Sequence, residues 1–116
     1  MSGIVTVYAV FGSEEEALRI GRLCVEERLA ACVNLLGAVH SIYRWQGKIE
    51  EGAEAAALFK TTAQGAEPLI ARIAALHSYD VPAAVAWPIA AAHGSYAAWV
   101  AEQVRARGEG PPAPAQ

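Results

Sequence analysis

Ser41-Ile42-Tyr43-Arg44-Trp45-Gln46-Gly47-Lys48-Ile49-Glu50 is the stretch on which the fold turns. Gln46-Gly47 is a two-residue turn signal, with the glycine supplying positive φ, and aromatic and β-branched residues flank it on both sides. Working outward, Ala31 to Trp45 reads as one strand, broken at Gly37, and Lys48 to Thr61 reads as its return, with Gly52 as a bulge or bend. Fifteen extended residues span about 50 Å at ~3.3 Å each, whereas a domain of this size has a diameter of roughly 35 Å. The hairpin therefore either bends at its glycines or projects beyond its own domain. A projecting hairpin exposes unpaired backbone and apolar side chains, and pairing with another copy of the chain removes that exposure. A homo-oligomer is expected, and a ring is favoured because a repeated head-to-tail contact around an axis leaves no free end.

The flanks complete a pattern. Ile4 to Phe11 reads as a strand ended by Gly12. Ser13 stands three residues before Glu16, the capping-box spacing that opens a helix, and the helix runs to about Ala30 with Ala17, Leu18, Gly21, Cys24 and Val25 on its apolar face. A second helix begins between Thr62 and Ala66, with Pro68 in its first turn and Leu69, Ile70, Ile73, Leu76 and His77 along its stripe. Pro82 to Ile89 reads as a fourth strand. Pro88 cannot donate to a ladder and so puts that strand at an edge or ends it. Gly94-Ser95 opens a last helix that carries Tyr96, Trp99, Val100 and Val104 inward. The order β-α-β-β-α-β plus a C-terminal helix is the α+β, ferredoxin-like split βαβ pattern, an antiparallel sheet with helices on one face. Residues 1–107 form a single domain, and the Pro/Gly/Ala-rich tail 108–116 is expected to be disordered.

Composition excludes several classes of function. The chain has 116 residues, of which 54% are hydrophobic and only 18% charged, so part of its surface is expected to be covered by another chain. A net charge of −3, with nine Lys and Arg spread along the chain, does not supply the cationic face that nucleic-acid binding requires. The N-terminus lacks a basic n-region and a separate apolar core, no apolar run is long enough for a membrane span, and two cysteines make no disulfide framework; a cytoplasmic location is expected. HExxH, GxSxG, Walker A and paired CxxC signatures are absent, and no enzymatic activity is expected.

Three stretches together resemble the CutA family, the divalent-cation tolerance proteins. They are Leu29-Ala30-Ala31-Cys32-Val33-Asn34, then Ser41 to Glu50 continuing to Phe59-Lys60-Thr61-Thr62, and Leu76-His77-Ser78-Tyr79-Asp80-Val81-Pro82. The resemblance runs from about Ile4 to Val104. It implies a ferredoxin-like subunit in a tightly packed homotrimer, an association with tolerance of copper or other divalent cations, and no established catalytic reaction. Where the family usually reads His-Pro-Tyr-Glu-Val-Pro-Glu, this chain reads His77-Ser78-Tyr79-Asp80-Val81-Pro82-Ala83, without the final acid. Family members with proposed copper ligands carry a cysteine near the end of the first strand and a His-His pair after the second helix; the matching positions here are Ala9 and Leu76-His77, so His77 alone carries over.

The candidate site residues each have two readings. His77 offers an imidazole nitrogen to Cu²⁺ or Zn²⁺, or serves the C-terminal carbonyls and dipole of its helix. Cys32 is a soft ligand or a packed thiol, and Cys24 lies on the apolar helix face as core. Tyr43, Trp45 and Tyr79 line a cleft between subunits or anchor the interface itself. Lys60 meets an anion before the second helix, or is a solvated lysine or an ion-pair partner of Glu50, Glu51 or Glu54. Glu14, Glu15 and Glu16 complement a helix N-terminus. Two rivals stand beside the CutA-like reading. One is a PII-like effector-binding signalling trimer, whose long loop between the second and third strands conflicts with the tight Gln46-Gly47 turn. The other is an interaction scaffold without a ligand.

Overall fold

The structure is a computed structural model that describes residues 2–105; the tail 108–116 and the end of the 1–107 span lie outside the described residues. The elements run β1 (Ile4–Phe11), α1 (Glu14–Glu26), β2 (Cys32–Trp45), β3 (Lys48–Thr62), α2 (Ala66–Leu76), β4 (Ala84–Pro88) and α3 (Gly94–Gln103). The sheet order is β2-β3-β1-β4, antiparallel throughout, which is the split βαβ topology expected from the element order. Strand β4 is an edge strand ending at Pro88, where a residue without an N–H costs no ladder bond.

Helices α1 and α2 cover one face of the sheet. Val7, Ala9 and Phe11 of β1 and Ala55, Ala57 and Phe59 of β3 point to that face and pack with Ile20 and Cys24 of α1 and Leu69 and Ile73 of α2. The small alanines of β3 let both helices sit close to the sheet, and Gly21 serves the same end, since a Cβ there would lie 3.0 Å from the Val33 side chain. Burial pushes the Cys24 thiol up to about 12, as befits a packed, inert cysteine. Arg72 of α2 forks onto the Glu27 carboxylate at 2.9 and 2.8 Å and ties the two helices together. Helix α3 is set elsewhere. Its Val100 and Val104 pack on Ile4 and Ala31, and Tyr96 reaches Cys32 (Oη to Sγ 3.4 Å). Ile4 and Thr6 alternate with Val5 and Val7, and Cys32 shares Thr6's face through Lys60, so α3 lies across one end of the face opposite α1 and α2.

Several local expectations change. Helix α1 ends at Glu26 rather than near Ala30, because Arg28 takes a left-handed φ of 61° and turns the chain. That turn directs the Arg28 guanidinium onto the carbonyls of Gln103 (2.8 Å) and Glu102 (2.6 Å), closing the C-terminus of α3. Leu18 and Val25 are exposed, and Ile20 takes the buried position on α1. On α3, Val100 and Val104 point inward as expected, whereas Tyr96 and Trp99 stack on each other at the surface. Gly37 does break β2: it has a φ of +90° at a bulge between Leu35 and the residues that follow. Gly52 does not bend β3; it pairs in register with Ser41.

Candidate functional site

The site follows from a mismatch of strand lengths. Strand β1 ends at Phe11, opposite Ala55, so among the described residues β3 from Lys48 to Glu54 has β2 as its only strand neighbour. The Gln46-Gly47 turn, with φ of 50° and 81°, closes this overhang as a primed two-residue turn. The molecule measures 43 × 36 × 22 Å with a radius of gyration of 14.8 Å, against about 13 Å for a compact chain of this length. Ile42 and Ile49 on the overhang are 66% and 60% exposed, and Tyr43 and Trp45 nearly half so. Alternation puts Ser41, Tyr43 and Trp45 on the face opposite α1 and α2, together with Glu54 and Val10. The segment between α2 and β4 folds up against them, joined to β1 by the Val10 N–H donating to the Ala83 carbonyl (3.2 Å). Between overhang and segment lies a cleft of about 480 Å³ whose walls include Val10, Tyr43, Trp45, Glu54, Tyr79 and Asp80.

The α2–β4 segment is held from behind by groups that are themselves buried. The His77 side chain is completely enclosed and stacks on Phe11 with ring centroids 5.1 Å apart. Its Nε2–H donates to the Val10 carbonyl at 2.7 Å, since a carbonyl can only accept, and its Nδ1 accepts from the Tyr79 backbone N–H at 3.0 Å. These two bonds define the neutral Nε2–H tautomer and occupy both ring nitrogens. Beside it, the Glu16 carboxylate accepts from the Ser78 N–H (2.7 Å), the Ser78 hydroxyl (3.1 Å) and the Gly12 N–H (3.2 Å). Burial by itself would raise the Glu16 carboxyl; the bonds from Ser78 and Gly12 outweigh it and hold the group below the usual carboxylate range. The Ser13 hydroxyl caps the Glu16 N–H at 3.1 Å, so half of the expected capping box forms, while the carboxylate is diverted to the loop after α2. Glu16 is thus more than a complement to the helix dipole. It stitches the start of α1 to the cleft wall.

In the cleft itself the Tyr79 hydroxyl donates to Glu54 Oε2 at 2.7 Å. Burial, followed by this bond to a carboxylate, pushes the Tyr79 phenol up to about 12, so it stays a neutral donor at physiological pH.

The six residues singled out in the sequence separate into three places. Tyr43, Trp45 and Tyr79 meet in the cleft. Cys32 and Lys60 are cross-strand partners at the far end of the hairpin, where Lys60 donates to Asn34 Oδ1 at 3.2 Å and not to Glu50, Glu51 or Glu54. Burial, and then the Cys32 contact, pushes the Tyr96 phenol up to about 12. His77 lies behind the cleft wall, and the expectation that it offers a nitrogen to Cu²⁺ or Zn²⁺ does not fit this geometry, because both nitrogens are already bonded inside the core. Among the described residues no three of His, Cys, Asp and Glu converge as a metal-binding group. Glu54 and Asp80 were missed as cleft residues. The signal for Glu54 was its parity, which places it on the same strand face as Glu50, the residue facing Tyr43, four pairs away along the hairpin.

Comparison with known proteins agrees with this fold. Residues 5–103 match the family described as "CutA1 divalent ion tolerance protein". The chain is 49% identical over 90 residues to the Divalent-cation tolerance protein CutA of Thermus thermophilus, covering 78% of this chain and 87% of that protein. It is 34% identical over 101 residues to Protein CutA, chloroplastic, of Arabidopsis thaliana, covering 87% of this chain but only 56% of that longer protein. The solved structure of the Thermus thermophilus divalent cation tolerance protein superposes with a TM-score of 0.85 at 44% identity, over 88% of this chain and 99% of that one. Sequence, topology and the projecting hairpin thus converge, and the chain belongs to the CutA1 divalent ion tolerance family.

Proposed function

We propose that this chain works without catalysis, as a cytoplasmic homotrimer that responds to divalent cations, with the clefts beside the hairpin overhangs lying between subunits and taking a small ligand. Copper or zinc binds only weakly in this reading, through donors gathered from more than one subunit. The observation that carries it is the overhang. A two-stranded ribbon is marginal in water, and this one displays Ile42, Tyr43, Trp45 and Ile49 beyond the end of β1. Sister subunits supply the apolar cover and the backbone partners that the ribbon lacks. The separation of candidate donors within one chain supports weak metal binding: His77 is sealed, Cys32 is against Tyr96, and His40 bonds Glu51 at 2.7 Å. No helix among the described residues is long and apolar enough to cross a membrane.

Sedimentation velocity on the purified chain tests the assembly. A particle about three times the 12.2 kDa of one chain is expected, and a well-folded monomer at micromolar concentration refutes it. Calorimetric titration with Cu²⁺, Zn²⁺ and nucleotides tests the ligand. Weak Cu²⁺ or Zn²⁺ binding supports the reading, and tight nucleotide binding would replace it with the PII-like one.

A further inference from the structure

We infer that the cleft between the hairpin overhang and the α2–β4 segment selects a large, weakly hydrated organic cation, an alkylammonium group, over a hard divalent metal ion. The inference deepens the proposal that this cleft takes a small ligand and rests on it. Three features of the cleft carry it. Tyr43, Trp45 and Tyr79 present aromatic rings to one volume, and such rings attract a cation through their quadrupole. Glu54 and Asp80 are the charged residues of the lining, both acidic, so charge complementarity points to a positive ligand. The volume of about 480 Å³ falls within the range of small-molecule sites and is far larger than a bare ion.

The same residues suit a hard ion poorly. A calcium- or magnesium-like ion requires about six or more oxygens in a closed shell. Here one Glu54 oxygen already accepts from Tyr79, and the only other carboxylate of the lining is that of Asp80. Apart from the hydroxyls of Ser41, Tyr43 and Tyr79 the remaining wall side chains are aromatic or aliphatic, so two carboxylates do not make a closed shell. A borderline ion such as Cu²⁺ favours imidazole nitrogen in its ligand set, and the only nitrogen among the lining side chains is the Trp45 indole, a donor without a lone pair to share. An alkylammonium group sheds its water cheaply and needs only π faces and a carboxylate nearby. At the tip of the overhang Lys48 and Glu50 face Trp45 and Tyr43 as cross-strand partners and offset each other in charge, leaving Glu54 and Asp80 as the net charge of the cleft.

Two probes of one shape test this: choline and its uncharged carbon isostere 3,3-dimethylbutan-1-ol. Each is titrated into labelled protein while the Trp45 indole N–H is followed by NMR, with sedimentation on the same samples. Choline should shift that signal and bind roughly tenfold or more tightly than the isostere. Glu54→Gln, which keeps an acceptor for Tyr79 but removes the charge, should erase most of that preference, lowering the affinity for choline far more than that for the isostere. Tyr43→Leu should weaken choline more than the isostere. Equal affinity for both probes, shifts confined to Trp87 or Trp99, or displacement of choline by equimolar Ca²⁺ or Mg²⁺ would overturn the inference. The lining residues named all belong to one chain, so the two readings fail separately. A trimer without choline preference sinks only the ligand assignment, and a choline-selective monomer sinks only the assembly.

Discussion

Strand β3 contains two halves that form the same ladder and meet opposite fates. From Ala55 to Thr62 it lies between β1 and β2, and Ala55, Ala56, Ala57, Phe59 and Thr61 are buried. From Lys48 to Glu54 it pairs, among the described residues, with β2 alone, and Lys48 to Glu51 are exposed. The exposed half pairs with β2 without a shift, whereas the bulge at Gly37 falls opposite the buried half, so regularity of pairing does not make the difference. Burial requires a third strand and a helix above it, and both stop at the end of β1. The chain has built a strand longer than its own core can use, with the aromatic residues Tyr43 and Trp45 placed opposite the part left over.

The contrast can be broken from the buried half first. Phe59→Ala removes a ring in contact with Phe11 at 6.4 Å between centroids in the middle of the core. It should cost about 3–5 kcal/mol of stability by chemical denaturation. A cost near zero would mean that β3 is not the centre of the fold. Glu16→Gln attacks the same body through the loop behind the cleft, and it should cost about 1.5–3 kcal/mol at neutral pH, the range for hydrogen bonds to a charged group. Its pH dependence has a definite sign. The folded carboxyl is held below its ordinary range, so its contribution is full above that range and is lost as pH falls through it and on through the folded value. The gap in stability between wild type and Glu16→Gln should therefore close in acid. A gap that is constant with pH would show that the charge plays no part.

The exposed half calls for a different readout. Trp45→Asp places a charge on the overhang, clear of the cluster around Phe59. Association should weaken by about 2 kcal/mol or more, roughly thirtyfold in Kd, as read by light scattering across a dilution series. Unchanged subunit number and unchanged melting temperature would remove Trp45 from the interface. The smallest effects come from the two glycines of the hairpin. Gly37→Ala forces a side chain into φ +90° and should cost about 1 kcal/mol even though the nearest atom is 3.9 Å away. Gly52→Ala meets nothing within 4 Å and should be neutral or stabilising by up to about 1 kcal/mol. Opposite shifts in melting temperature would confirm that the bend belongs to Gly37 alone, and matching shifts would refute it.

Much of the fold was legible because it is written in local signals. Gln46-Gly47 specified the turn, Ser13 the start of α1, Pro88 the edge position of β4, and the alternation of β1 the face that α1 and α2 cover. The cleft was legible only through its aromatics, because Tyr43, Trp45 and Tyr79 announce themselves by type, whereas Glu54 and Asp80 look like any surface acids until the segment after α2 is folded beside them. The family was readable from three stretches of sequence, and it does not say that both nitrogens of His77 are bonded inside the core.

What the sequence by itself determined is the order of elements, the register of the hairpin and the mismatch between a long β2–β3 ribbon and a short β1, since each depends on residues close together in the chain. What only the tertiary structure decided is where polar groups separated by dozens of residues satisfy one another: Glu16 with Ser78, Arg28 with the end of α3, His77 between Val10 and Tyr79. A buried donor or acceptor must find a partner, but its own neighbours in sequence do not say which one; that choice is made when packing brings distant backbone within about 3 Å.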